Sequence, residues 1–200
     1  MKIKISILIS IILINNKADS QTVFFNAPIS TIYNQIKYDK YKSSLNTERN
    51  IDIGYIQKLN YKWDAVLSLK WLTASNNTFN SFLNSNTYNR YSYAGLLAGI
   101  RQNQGITKRV ESQAEFGFAL MKNIEYLQNI ENTGTENKLK NNGISFGFYG
   151  KIGTKILVTK RFSVGLLLSG YQDISSKVYI NNKKIKLNLN QLSFSLYQDL

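Results

Sequence analysis

The chain has 200 residues, 43% of them hydrophobic and 12% aromatic, with a mean hydropathy of −0.26. That is one domain's worth of chain. The balance excludes a helical multispanning membrane protein, whose spans need long uncharged runs, and a disordered chain, which could not carry so many aromatics. Cysteine and histidine are both absent, which excludes disulfides, Cys/His metal centres and any nucleophilic triad or dyad that uses either residue. No catalytic, cofactor or metal site is expected. Lys and Arg number 25 against 12 acids, a formal net charge of +13. A positive field of that size attracts anions, but the basic residues are dispersed and no nucleic-acid-binding motif accompanies them, so nucleic acid is not an expected partner.

Met1-Lys2-Ile3-Lys4 is a short basic start, followed by an apolar run from Ile5 to Ile14 and then Ala18-Asp19-Ser20. This pattern predicts a secretory signal over residues 1–20, cleaved before Gln21. The run is about half the length that a bilayer-crossing helix needs. Removing it leaves 22 basic and 11 acidic residues. Export without a single Cys suits a bacterial envelope better than a disulfide-dependent secreted domain.

Residues 21–50 alternate poorly and read as either a first strand or a periplasmic segment. From Ile51 onward the chain repeats one unit, about ten alternating residues and then a turn. In Ile51–Leu59, Ile51, Ile53 and Tyr55 share one face against Asp52 and Gly54; after a short connection, Ala65, Leu67, Leu69 and Trp71 oppose Asp64, Ser68 and Lys70. Tyr91–Arg101 is less regular, with Tyr91 and Tyr93 opposite Ala94, Leu96, Ala98 and Ile100. Arg109–Met121 sets Ala114, Phe116, Phe118 and Leu120 against Arg109, Glu111, Gln113, Glu115 and Gly117. Gly143–Val158, Arg161–Tyr171 and Ile185–Leu200 continue the pattern.

Large apolar residues on one parity, with Gly, Ser and charges on the other, predict a narrow barrel whose outside faces lipid. Short connections at 60–63, 102–108 and 159–161 alternate with longer polar ones at 73–87, 122–142 and 175–184. Outer-membrane barrels alternate tight periplasmic turns with long external loops in this way. Trp63, Trp71, Tyr55 and Tyr91 are the candidate interfacial aromatics. The charged side chains on the polar parity, Lys70, Arg109, Glu111, Glu115, Lys151 and Lys155, are expected to form a structural ion-pair network in the lumen, because isolated buried charges are expensive. The expected fold is thus all-β, an eight-stranded antiparallel up-and-down transmembrane β-barrel.

The signal sequence, the hairpins such as Ser145–Ser169 and the closing strand 190–200 resemble the small outer-membrane barrel families typified by the membrane domain of outer-membrane protein A and by outer-membrane protein X. The resemblance implies a bacterial outer-membrane location. It also implies that the terminal strand is read by the barrel assembly machinery; Leu192, Phe194, Leu196 and Leu200 keep the phase, Leu200 stands where a terminal aromatic is usual, and Gln198 occupies a normally apolar position. The expectation is a monomer without enzymatic activity, in contact with outer-membrane lipid and lipopolysaccharide, acting structurally or through its long loops. The alternatives are a soluble periplasmic, lipocalin-like barrel with an apolar ligand, or a component of an envelope export or assembly complex.

Overall fold

The computed structural model describes residues 21–38, 41–80, 85–130, 135–139, 143–180 and 183–200. The expected signal segment, residues 1–20, lies outside them. The described residues form eleven strands: β1 (Gln21–Tyr38), β2 (Tyr41–Ser44), β3 (Asn46–Lys58), β4 (Trp63–Asn80), β5 (Ser85–Gly105), β6 (Val110–Ile130), β7 (Thr135–Leu139), β8 (Ile144–Leu157), β9 (Phe162–Ser176), β10 (Tyr179–Ile180) and β11 (Lys183–Asp199). Eight of these, β1, β3, β4, β5, β6, β8, β9 and β11, pair in that order, and β11 pairs back onto β1. Every pairing is antiparallel, so the ring is an eight-stranded up-and-down barrel. The short strands β2, β7 and β10 extend β1, β6 and β11 at one end.

The register fixes the tilt. Following paired residues once round the ring, from Thr22 through Ile56, Val66 and Gly99 to Tyr149 and Leu189, leads back to β1 at Asn34, a stagger from position 22 to position 34. Two register shifts in β1, between Pro28 and Ser30 and between Thr31 and Tyr33, absorb part of that offset. A closed eight-stranded sheet with such a stagger has strands inclined by about 40°. Proline cannot donate to a ladder and is tolerated in a strand at a bulge; Pro28 sits at one.

β1 is the eighth strand, and it shows why residues 21–50 alternate poorly. Thr22, Phe24 and Asn26 point inward below the irregular stretch, and Asn34 and Ile36 point inward above it. The inward set mixes apolar and polar side chains, and two bulges interrupt the count between them.

Elsewhere the outward set is the one expected. Phe116 is 55% exposed, and Leu69, Ile100, Phe118, Ile152 and Leu166 are also exposed, while Ser68, Gln113, Gly117 and Ser163 on the opposite parity face the lumen. On the outside, Phe116, Phe118, Phe146 and Phe148 make a cluster of rings with centroids 5.1–6.4 Å apart.

One expectation about the barrel's ends differs from what is found. The three short connections are turns of similar build. Asn60 Oδ1 accepts from the backbone N–H groups of Lys62 and Trp63, Thr107 Oγ1 from those of Arg109 and Val110, and Thr159 Oγ1 from those of Arg161 and Phe162. Each turn therefore carries an Asx- or ST-type cap with a basic residue two positions on. The long polar stretches at the other end are not irregular loops over most of their length. β4 and β5 stay paired as far as Asn80 and Ser85, and β5 and β6 as far as Thr87 and Ile130, with β7 added alongside. The ladder continues because Tyr91 and Tyr126 pack inside it, with ring centroids 5.3 Å apart. Asn and Ser content alone did not reveal that packing.

Candidate functional site

The interior is built in layers, and the glycines on the inward parity make room for them. A Cβ on Gly54 would lie 2.5 Å from Cε1 of Phe24, one on Gly117 2.8 Å from Cε1 of Tyr149, and one on Gly147 2.8 Å from Cε2 of Tyr171. Each of these glycines thus lies beneath an aromatic ring from a neighbouring strand, the arrangement by which aromatics cover exposed backbone at sheet glycines. Phe24, Ile56, Val66 and Tyr197 form the layer nearest the short turns. A larger apolar cluster, including Leu72, Tyr91, Tyr93, Leu97, Met121, Tyr126 and Leu187, fills the other end. The lumen is therefore not polar throughout: apolar side chains fill much of its outer half, among buried polar ones such as Asn76, Asn89 and Asn123.

Between these layers lies a buried cluster of charges. Lys151 on β8 places Nζ 2.6 Å from Oδ2 of Asp52 on β3 and 3.2 Å from Oε1 of Glu115 on β6. Arg101 on β5 donates to Glu115 Oε2 from Nη2 at 2.5 Å and from Nε at 3.0 Å. Asn26 on β1 donates to Asp52 Oδ2 at 3.1 Å. The two cations also lie over rings: the Arg101 guanidinium is 5.5 Å from the ring centroids of Phe24 and of Tyr197, and Lys151 Nζ is 5.3 Å from those of Phe24 and Tyr149. Lys70, also buried, is paired in register with Asp52. Cross-strand partners in register point to the same side of the sheet, so Lys70 adds a third cation to the cluster. The free space bounded by Asn50, Asp52, Lys70 and Lys151 is about 10 Å³, at most the room of one water.

The candidate residues divide as follows. Lys70, Glu115 and Lys151 meet at the centre. Glu111 and Lys155 form a separate pair, Nζ to Oε2 3.3 Å, with Glu111 partly exposed near the short turns. Arg109 does not belong to the lumen: it is exposed in the turn between β5 and β6, because the strand begins one residue later and the turn takes it out of the alternation. Its position in that turn matches those of Lys62 and Arg161 in the other two, a repeat of Asn or Thr, any residue, Lys or Arg, then a large apolar residue that is visible in the sequence. Arg101 and Asp52 also belong to the cluster, outside the set expected from the sequence. Arg101 is the end of a blurred strand, and only the register, which pairs it with Glu115, brings it into the cluster.

Among the aromatics, Trp63 and Trp71 lie on the outside at the two ends of the β4 apolar run, and Tyr55 is outward and half-buried. Tyr91 is the correction: it is fully buried in the lumen. Tyr91 and Tyr93 lie on the parity opposite Ala94 and Leu96, the lumen side, and are buried there; the register shift beside them falls on β6 at Ile124, so neither tyrosine joins the girdle. The two tryptophans are separated by about 27 Å along the tilted strand at the rise of an antiparallel strand, which is about 20 Å along the barrel axis at the tilt of such barrels.

A closed antiparallel ring that is apolar outside, with ion pairs at its centre, is the architecture of a small transmembrane β-barrel. No protein-family model matches the chain, and no curated protein matches it in sequence. Solved structures do match. The crystal structure of Neisserial surface protein A superimposes with a TM-score of 0.55 at 11% identity, over 90% of this chain and 97% of that one. The outer membrane protein OprG from Pseudomonas aeruginosa does so with a TM-score of 0.54 at 10% identity, over 90% and 95%. At these identities the likeness is one of fold: the chain has the fold of the small outer-membrane β-barrels.

Proposed function

We propose that the chain is a non-enzymatic, monomeric outer-membrane barrel whose work is done by its surface, through the β-ribbons that continue above the lipid belt, and not by transport through its lumen. The observation that carries this reading is the filled interior. Arg101, Glu115, Lys151 and Asp52 pair in the middle, and Tyr91, Tyr93, Leu72 and Met121 pack above them. Eight strands enclose a space that side chains fill, and here they fill it with groups that hold one another in place. On this reading residues 1–20 are the export signal, the short turns with Lys62, Arg109 and Arg161 face the periplasm, and the ribbons of β4–β7 face outward. Strand 190–200 is the segment that the assembly machinery engages. The outward band of Leu69, Phe116, Phe118 and Ile152 opposes a soluble barrel, which would keep such residues inside.

Two measurements test the proposal. Fractionation should leave the protein in the membrane until detergent is added, with a gel mobility that changes on boiling. The purified barrel in a planar bilayer should pass no sustained ionic current. Release by osmotic shock, or a steady open conductance, would contradict it.

A further inference from the structure

The apolar belt is interrupted on one side of the barrel. Around β8, β9 and β11 the outward row reads Gly150, Gly170 and Asn190, paired directly across the three strands. On the β6 side Gly150 is paired with Phe116. Two adjoining hollows lie over this row, of about 350 and 390 Å³, and both include Gly150, Gly170 and Asn190. Phe116 and Phe148 wall the groove on one side, and Ile152 and Leu168 close it toward the short turns. Gln172 and Asn188 form its polar lip at the ribbon end. A Cβ built on Gly150 meets only the Glu115 carbonyl, at the ordinary distance of 3.8 Å. Glycine is therefore not required there by the packing of the barrel; what its small size creates is empty space on the outside.

Beyond the polar lip lies a row of like charges. Lys42 on β2 pairs in register with Lys37 on β1, and Lys37 with Lys186 on β11. The three ammonium groups thus share one face of the sheet, an arrangement that destabilises itself unless an anion neutralises it. Lys186 Nζ donates to the backbone carbonyl of Ile174 on β9 at 3.2 Å, which leans its side chain toward the strand that carries Gly170 and Gln172.

We propose that this groove holds one acyl chain of a multiply phosphorylated outer-leaflet glycolipid, a lipopolysaccharide, with its phosphates against Lys37, Lys42 and Lys186. The inference rests on the membrane reading given above and adds to it a particular site. An apolar trough with its polar lip toward the ribbons accepts a chain entering from the outer leaflet. A row of three lysines suits a headgroup with several negative charges better than a phospholipid with one or none.

Native mass spectrometry of the full barrel in detergent micelles, with rough lipopolysaccharide, phosphatidylglycerol or phosphatidylethanolamine added in turn, tests it. One lipopolysaccharide should be retained per barrel. G150L, which fills the groove from the lipid side, should lower that retention at least tenfold while keeping the boiling-dependent gel shift. Lys37→Gln with Lys186→Gln, both on the outward face, should lower it several-fold and flatten its dependence on salt. Retention unchanged in both variants, or equal retention of phosphatidylglycerol, overturns the proposal while leaving the membrane reading intact. A wild-type chain that stays in solution without detergent overturns both.

Discussion

Lys151 and Asp52, 99 residues apart in the chain, meet across the lumen with Nζ 2.6 Å from Oδ2, joining β8 to β3 on opposite sides of the ring. With Arg101 and Glu115 they form a chain of alternating charge in which each carboxylate faces a cation. Such a cluster is expensive to break and not particularly stabilising to possess. Removing one partner leaves a buried charge uncompensated, at a cost of about 3–5 kcal/mol, whereas replacing a pair by apolar residues of similar volume is often neutral.

Asp52→Ala should therefore lower the urea midpoint of the barrel in detergent micelles by an amount equivalent to about 3–5 kcal/mol. Asp52→Leu combined with Lys151→Met and Lys70→Met, which leaves Arg101 and Glu115 paired, should recover most of that loss. An Asp52→Ala variant that unfolds with the wild type would show that the pair is not desolvated.

The glycine–aromatic contacts predict a second pair of outcomes. Gly54→Ala places a methyl against the Phe24 ring and Ser68 Cβ, and overpacking of this kind costs about 1–3 kcal/mol. Phe24→Leu in the same chain should return part of it. The measurement is again the unfolding midpoint, supported by the fraction that keeps its compact gel mobility before boiling. No difference between the single and double variants would contradict the close contact.

Tyr91 and Tyr55 separate the lumen from the belt. Tyr91→Ala removes a fully buried ring from the outer core and should cost about 3–5 kcal/mol, as large-to-small core changes do. Tyr55→Ala, on the outside, should cost about 1 kcal/mol or less, the scale of an ordinary surface change. Equal effects in thermal unfolding would place Tyr91 back among the interfacial aromatics.

Much of the barrel is legible from residue parity, and its failures share a physical cause. Where a strand lies within the apolar belt and faces a charged or glycine-lined lumen, as in β6 from Ala114 to Leu120, the two faces differ in chemistry and alternation reports them. Where the interior is itself apolar the contrast vanishes, as at Tyr91, Tyr93 and Leu97. The described residues of the stretches read as loops at 73–87 and 122–142 lie in strands packed on that second core, with Asn77, Asn86, Lys122 and Asn129 outside. β1 is obscured differently, by two bulges and by Phe24 and Ile36 pointing inward. Of the central charges, Lys70, Glu115 and Lys151 are visible because they oppose Leu69, Phe116 and Ile152 on their own strands. That Arg101 is the partner of Glu115 depends on register, which alternation along a single strand does not encode.

The belt makes a prediction about depth. Phe118→Arg should destabilise the barrel in a phospholipid bilayer by about 2–4 kcal/mol, the cost of a basic side chain near the midplane of a barrel's lipid face, whereas the change at the edge of the belt should be about 1 kcal/mol or less. Lys122, outward four residues further along β6 and exposed, marks that edge. Lys122→Arg should unfold with the wild type, as judged by equilibrium denaturation of the barrel folded into vesicles. Equal losses at the two positions would remove the belt's upper boundary.

The most direct test is the identity of the solvent around the outward parity. In a chain with Trp63 and Trp71 changed to Phe, single tryptophans are placed at Phe116, Phe118 and Tyr149, and their fluorescence is measured in vesicles whose acyl chains carry bromine. Strong quenching at positions 116 and 118, with little at 149, is the predicted result. Quenching at 149 with none at 116 and 118, or at no position, would contradict a barrel whose phenylalanines face lipid.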